Sequence, residues 1–178
     1  MEGNLIVVKA NGTEGAAAEY VRAARARADD GYRLAGFLLG DADDAQDAVQ
    51  EALIKAWRNW SSLRDPDRFG PWFERILANV CRDRMRRHRN LRMMELDAAD
   101  DVESADPFRR MLVEDEVAAA VVRLSDDHRI VIALRFWQDL TLEQVADRLD
   151  VPLGTVKSRL HYALKALHAE LRRSSDEA

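Results

Sequence analysis

The chain has 178 residues, 47% hydrophobic and 33% charged; that supports a buried core, excludes wholesale disorder, and suits one ordinary domain or two small ones. The lone Cys81 excludes a disulfide framework and a Cys-based zinc site and fits a reducing cytoplasm, and no stretch approaches the roughly 18 consecutive apolar residues of a membrane span. A formal net charge of -5 argues at first sight against a nucleic-acid partner, but local fields outweigh the sum.

The apolar pattern is helical nearly throughout, with no strand-like alternation and no internal repeat. Residues 1–14, carrying Gly3, Asn4, Asn11 and Gly12, read as a flexible tail too short and polar for a secretory signal. Helical spacing runs from Ala16 to Leu39, with a break expected near Asp29-Asp30-Gly31 and a stop at Gly40. The next helix, Asp41 to Trp60, carries one stripe of Ala45, Val49, Ala52, Leu53, Ala56, Trp57 and Trp60, and its opening acids suit a positive helix end. A loop through SSLRDPDRFGP leads to a third helix, Pro71 to His88, with Phe73, Ile76, Leu77 and Val80 on one face. Residues 93–107 lose periodicity, turn acidic and read as a linker. Helical pattern resumes from Phe108 to Leu124 and, after a Ser125 cap, from Asp126 to Trp137. Thr141-Leu142-Glu143-Gln144 has capping-box spacing and starts a helix ending near Leu149; the last helix, Thr155 to Arg172, turns Val156, Leu160, Leu164, Leu167 and Leu171 inward. The fold class is therefore all-α: two small helical units, 15–92 and 108–174, joined by the acidic linker.

The charge is divided along this plan. Residues 41–51 hold five acids and no base, net -5, and residues 95–116 are net -7. Residues 74–92 hold seven arginines against two acids, net +5, and residues 157–173 are net +4. Two basic helices in separate units can track phosphates and release counterions. The first lies beside Trp57, Trp60, Phe69, Trp72 and Phe73, and guanidinium plus aromatic faces hold unstacked bases. Helical spacing makes Trp57 and Phe73 core residues and leaves Phe69 and Trp72, beside the loop, as base-facing candidates.

Residues 141–167 read as a helix-turn-helix: TLEQVADRL, the turn DVPLG, then TVKSRLHYALKAL, with small Ala146 where the helices cross and apolar Val151 plugging the turn. Thr155, Lys157, Ser158, Arg159 and Tyr162 fall on the early, outward part of the second helix, where base edges and phosphates are met. There is no Gly-rich phosphate loop, no His-Glu-x-x-His and no nucleophile elbow, so neither catalysis nor a cofactor is expected. His161 and His168 lack a nearby acid and read as surface histidines rather than metal ligands, and Cys81 as a small buried hydrophobe.

Three separated segments, DDAQDAVQEALIKAW, DRFGPWFERILANVCRDRMRR and LTLEQVADRLDVPLGTVKSRLHYALKAL, together resemble an extracytoplasmic-function (ECF) sigma factor, of the sigma-70 family of bacterial RNA polymerase subunits, over roughly residues 17–172. The resemblance implies that 15–92 corresponds to sigma region 2 and 108–174 to region 4. It implies that Asp44, Asp47, Gln50 and Glu51 bind the clamp helices of the largest polymerase subunit. Phe69, Trp72, Arg75, Asn79, Arg82, Asp83, Arg86 and Arg87 would meet the minus-ten element, with the loop 61–70 forming a pocket for a flipped base beside Asn79. Thr155, Lys157, Ser158, Arg159 and Tyr162 would read the minus-thirty-five element, and the acidic linker would lie in the RNA channel. The implied partners are core RNA polymerase, including the flap of its second largest subunit, promoter DNA and an anti-sigma factor. The chain departs from the family pattern at Gln46, Ala48 and Tyr162. A competing reading is a stand-alone helix-turn-helix regulator that binds an operator as a dimer; it leaves the acidic helix beside the arginine-aromatic helix without a purpose.

Overall fold

The computed structural model describes residues 4–94, 108 and 115–177, all of them in helices or in the turns between them. The expected linker lies almost wholly outside the described residues. Seven α-helices are described: α1 (Asn4–Leu39), α2 (Ala42–Arg58), α3 (Phe69–Met94), α4 (Glu116–Val122), α5 (Asp126–Ile132), α6 (Leu142–Leu149) and α7 (Leu153–Glu177). Two short 3₁₀ turns, Trp60–Ser62 and Pro66–Arg68, bridge α2 to α3, and a π-helical turn, Ala133–Trp137, follows α5.

α1 departs from expectation twice. It starts at Asn4, within the segment read as a tail, because a helix once nucleated gains a hydrogen bond for each residue it fixes. It also runs unbroken through Asp29-Asp30-Gly31. Asp30 is held by Arg27 and Arg33 on the same helix, and Gly31 is where the Phe73 ring comes too close for a side chain. Gly40, at φ 72°, ends α1 in the left-handed conformation, its N–H donating to the Gly36 carbonyl at 2.7 Å.

α2 begins as its composition suggests. Asp41 is the N-cap, accepting from the Asp44 N–H at 3.0 Å, and Asp43 and Asp44 sit on the positive end of the helix. Four of its five alanines, Ala45, Ala48, Ala52 and Ala56, are fully buried, which lets α2 approach α1 and α3 closely. Trp57, expected in the core, is instead 43% exposed, its ring packed on Tyr20 with centroids 5.1 Å apart.

In the second unit Asp115 caps α4 and the Thr141–Gln144 capping box is complete: Thr141 Oγ1 accepts from the Gln144 N–H at 3.2 Å while Gln144 Oε1 accepts from the Thr141 N–H at 2.8 Å. Ser125 occupies the cap position of α5, but its side chain makes no cap bond. The α6–α7 turn passes through Asp150 at φ 54° and Pro152, and the Val151 N–H donates back to Ala146. Val156 and Ala163 are buried on the inner face of α7; Leu164, expected inward, is 43% exposed because it lies one residue round from Ala163.

The two units are docked. Arg129 of α5 is buried and donates through Nη1 to the Leu38 carbonyl at 2.6 Å, supplying a cation to the C-terminal end of α1. Trp137 stacks on Phe37, centroids 4.7 Å apart. Phe108 fills the space a side chain at Gly36 would need, its ring edge-on to Tyr32 at 5.4 Å.

Candidate nucleic-acid and polymerase interface

α3 organises the first unit. At 100° per residue, Arg75, Asn79, Arg82, Arg86 and Arg89 fall within one narrow stripe, while Arg84 lies on the opposite side. The stripe contains four of the minus-ten candidates and adds Arg89, which sequence reasoning passed over although it stands seven residues beyond Arg82. Asn79 is exposed and accepts from Arg82 Nη1 at 2.7 Å. Asp83 sits beside the stripe and pairs with Arg86 at 3.0 Å, and Arg87 is exposed to one side of it.

Phe69 corrects an expectation. It is 2% exposed, stacked on Phe73 at 5.6 Å and edge-on to Tyr20 and Trp60. A ring enclosed on every side offers no face to a base, so Phe69 is a core residue. Trp72 keeps partial exposure at the rim of the same cluster, 6.1 Å from Phe69. Tyr20 closes the cluster by donating its hydroxyl to the Leu53 carbonyl at 2.6 Å, and burial pushes its pKa up. Beside the 61–70 loop, between α1 and Pro66–Gly70, lies a cleft of about 280 Å³ with Glu19, Arg22, Arg27 and Asp67 on its walls.

All four docking candidates lie on α2, and three of them, Asp44, Asp47 and Glu51, face Arg84. Its guanidinium reaches Glu51 at 3.2 Å, Asp44 at 3.6 Å and Asp47 at 3.8 Å, with only 17% of the Arg84 side chain exposed. Lys55 pairs with Glu51 at 2.9 Å and, with Arg84, holds the Glu51 carboxyl below its ordinary range. The face that reads in sequence as five acids without a base is thus partly neutralised from within. Asp47, two-thirds exposed, and Gln50 remain its outward groups. Gln46 is exposed beside them, whereas Ala48 is fully buried, so that departure from the family pattern bears on helix packing. Next to Arg84, Cys81 is fully buried and desolvation pushes its thiol up to about 12.

At the start of α7, Lys157 and Ser158 are exposed, Thr155 and Arg159 half-buried, and Tyr162 58% exposed. Ser158 Oγ donates to the Thr155 carbonyl at 3.0 Å, which leaves its lone pairs outward. Arg159 pairs with Asp127 at 2.9 Å. His161 and His168 lie exposed, and among the described residues no three His, Cys, Asp or Glu side chains converge as a metal site.

An all-α unit carrying an arginine stripe beside an acidic helix, followed by a helix-turn-helix unit, defines a two-part DNA-binding transcription protein. The family model of sigma-70 region 2 matches residues 22–91, and that of sigma-70 region 4 matches residues 120–169. The chain is 31% identical over 154 residues to the ECF RNA polymerase sigma factor SigW of Bacillus subtilis, covering 79% of this chain and 82% of that one. It is 35% identical over 146 residues to the ECF RNA polymerase sigma factor SigL of Mycobacterium tuberculosis, covering 79% and 82%. Among solved structures, CnrH in complex with the cytosolic domain of CnrY superposes with a TM-score of 0.58 at 25% identity, covering 87% of this chain and 96% of that one. The chain belongs to the sigma-70 family, as an ECF sigma factor. It binds core RNA polymerase and directs it to a specific promoter class for initiation, a non-enzymatic role.

Proposed function

We propose the following division of labour within this sigma factor. Asp44, Asp47, Gln50 and Glu51 form the face that docks on the clamp helices of the largest polymerase subunit. The α3 stripe, with Trp72 and the exposed Asn79, takes the minus-ten element as it unwinds, and the cleft beside the 61–70 loop receives an extruded base. Thr155, Lys157, Ser158, Arg159 and Tyr162 read the minus-thirty-five duplex, and the second unit meets the flap of the second largest subunit. Residues 95–107 form the linker between the units, since α3 takes up Met93 and Met94.

The observation that carries this reading is the two-sidedness of α3: Arg84 fastens the acidic helix on one side while Arg75, Asn79, Arg82, Arg86 and Arg89 line the other. One helix can thereby hold polymerase and single-stranded DNA on opposite flanks, an arrangement a dimeric operator-binding regulator does not need. The protein works in the cytoplasm with polymerase; no helix among the described residues is long and apolar enough to cross a membrane. An anti-sigma partner accords with the solved complex of CnrH with CnrY.

The test uses two variants with core polymerase. Asp47→Arg is expected to abolish co-elution with the core enzyme, whereas Arg75→Ala with Arg82→Ala should co-elute normally and fail to open promoter DNA, read by permanganate reactivity of unpaired thymines. Normal co-elution of Asp47→Arg would remove the docking assignment; normal opening by the arginine variant would remove the minus-ten assignment.

A further inference from the structure

Four of the arginines assigned to DNA are already engaged by acids of the second unit. On α3, Arg75 pairs with Asp150, Arg82 with Asp127 at 3.1 Å and Arg89 with Asp126 at 2.7 Å. On α7, Arg159 reaches the other oxygen of the same Asp127 at 2.9 Å. A single carboxylate therefore holds one arginine from each DNA-facing set, and the three acids that pair with Arg75, Arg82 and Arg89, namely Asp150, Asp127 and Asp126, all come from the second unit, while Arg86 pairs with Asp83 of α3 itself. Arg148 with Glu74 at 2.8 Å, Arg68 with Asp147 at 3.8 Å, and the Trp137–Phe37 stack brace the same contact.

This geometry cannot serve a promoter. The minus-ten and minus-thirty-five elements are centred some 25 base pairs apart, about 85 Å along B-form DNA at ~3.4 Å per pair. Arg82 and Arg159, each on one carboxylate oxygen, are an order of magnitude closer than that. A carboxylate also offers guanidinium the same paired-oxygen, anionic geometry as a phosphate, so these acids occupy the arginines by the chemistry DNA would use.

We propose that the chain holds itself in a closed, self-masked state in which Asp126, Asp127 and Asp150 stand in for promoter phosphates, with Asp127 as the latch shared by both DNA-binding units. The proposal rests on the assignment of α3 and α7 as the DNA faces. The pairs are partly solvated, Asp127 being 41% exposed and Asp150 69%, so each is weak and screened by salt. The latch is therefore reversible: the competent fraction of free chain is reduced, and apparent DNA affinity falls with it.

The experiment uses the full chain without polymerase and a fluorescein-labelled 30-base-pair duplex of mixed sequence, whose phosphates are the probe. Asp127→Asn is expected to bind about three- to tenfold more tightly than the parent chain, the range set by releasing two partly solvated pairs. Asp139→Asn is the control: it removes the same charge from a 97% exposed side chain and keeps a residue that tolerates the positive φ there. It should change affinity less than twofold. Small-angle scattering in the same buffer should show a larger radius of gyration for Asp127→Asn than for the parent. Equal affinities for the two Asn variants, or an unchanged radius, would overturn the latch. Adding Arg82→Ala and Arg159→Ala to Asp127→Asn should abolish the gain; tightening that survives their removal would instead sink the assignment of those arginines to DNA.

Discussion

The pair that best reports docking between the two units is Glu74–Arg148. Its Nε–Oε2 distance is 2.8 Å and its side chains are only 18% and 11% exposed, so it is better shielded than any of the pairs engaging the α3 arginines. Two unit charges about 4 Å apart attract by roughly 4 kcal/mol at an effective dielectric near 20. Desolvation of both groups offsets a large part of that. A coupling energy of about 1–2 kcal/mol remains for the pair in a double-mutant cycle of Glu74→Ala, Arg148→Ala and the double variant, measured by urea unfolding. The Arg148→Ala change alone should cost more, about 2–3 kcal/mol, because it also strips the aliphatic stem from the interface and leaves Glu74 unpaired. The internal reference is Asp30–Arg33, three residues apart on α1 with 46% and 61% of the side chains exposed, for which a coupling of about 0.2–0.5 kcal/mol is expected. Raising salt to about 0.5 M should shrink the reference coupling more than that of Glu74–Arg148. A Glu74–Arg148 coupling no larger than the Asp30–Arg33 value would mean that the units do not dock in solution as described.

Two further outcomes are expected. Gly36→Ala should destabilise the fold by about 1–3 kcal/mol, since its methyl collides with Phe108 and the helix-propensity gain of roughly 1 kcal/mol does not compensate; a raised melting temperature would contradict this. Cys81 should resist iodoacetamide in the native chain at pH 8, because a thiol at about 12 is roughly a thousandfold less ionised than one at the ordinary value of 9.0, and labelling should appear only on unfolding. As the folded pKa is the higher, the associated stability is complete below pH 9 and is lost as pH rises towards 12. Prompt labelling of native protein would show that the thiol is not enclosed.

Much of the fold was legible in local chemistry. Asp41, Gly40, the Thr141–Gln144 box and the Asp150–Pro152 turn mark helix ends by mechanisms that act within four residues, and they stand where those mechanisms put them. The errors came from tertiary context. Gly31 breaks no helix because Phe73, 42 residues away, needs the room, and Phe69 is enclosed by Tyr20 and Trp60 from two other segments. In the candidate site, the run of arginines in α3 was plain, but its division was not. Helical periodicity separates Arg84 from Arg75, Arg82 and Arg89, yet only packing shows that Arg84 is spent on the acids of α2. Nor does any local pattern single out Asp127, whose two partners lie 45 and 32 residues away on different helices.

The most direct measurement is transcription by core polymerase reconstituted with this chain on a genomic promoter library, with the 5′ ends of the RNA sequenced. The parent chain should give discrete starts sharing one upstream and one downstream motif. Lys157→Ala with Arg159→Ala should relax the upstream motif while leaving the downstream one intact. Starts indistinguishable from those of core polymerase alone, or an upstream motif untouched by the double substitution, would contradict the assignment of α7 as the promoter reader.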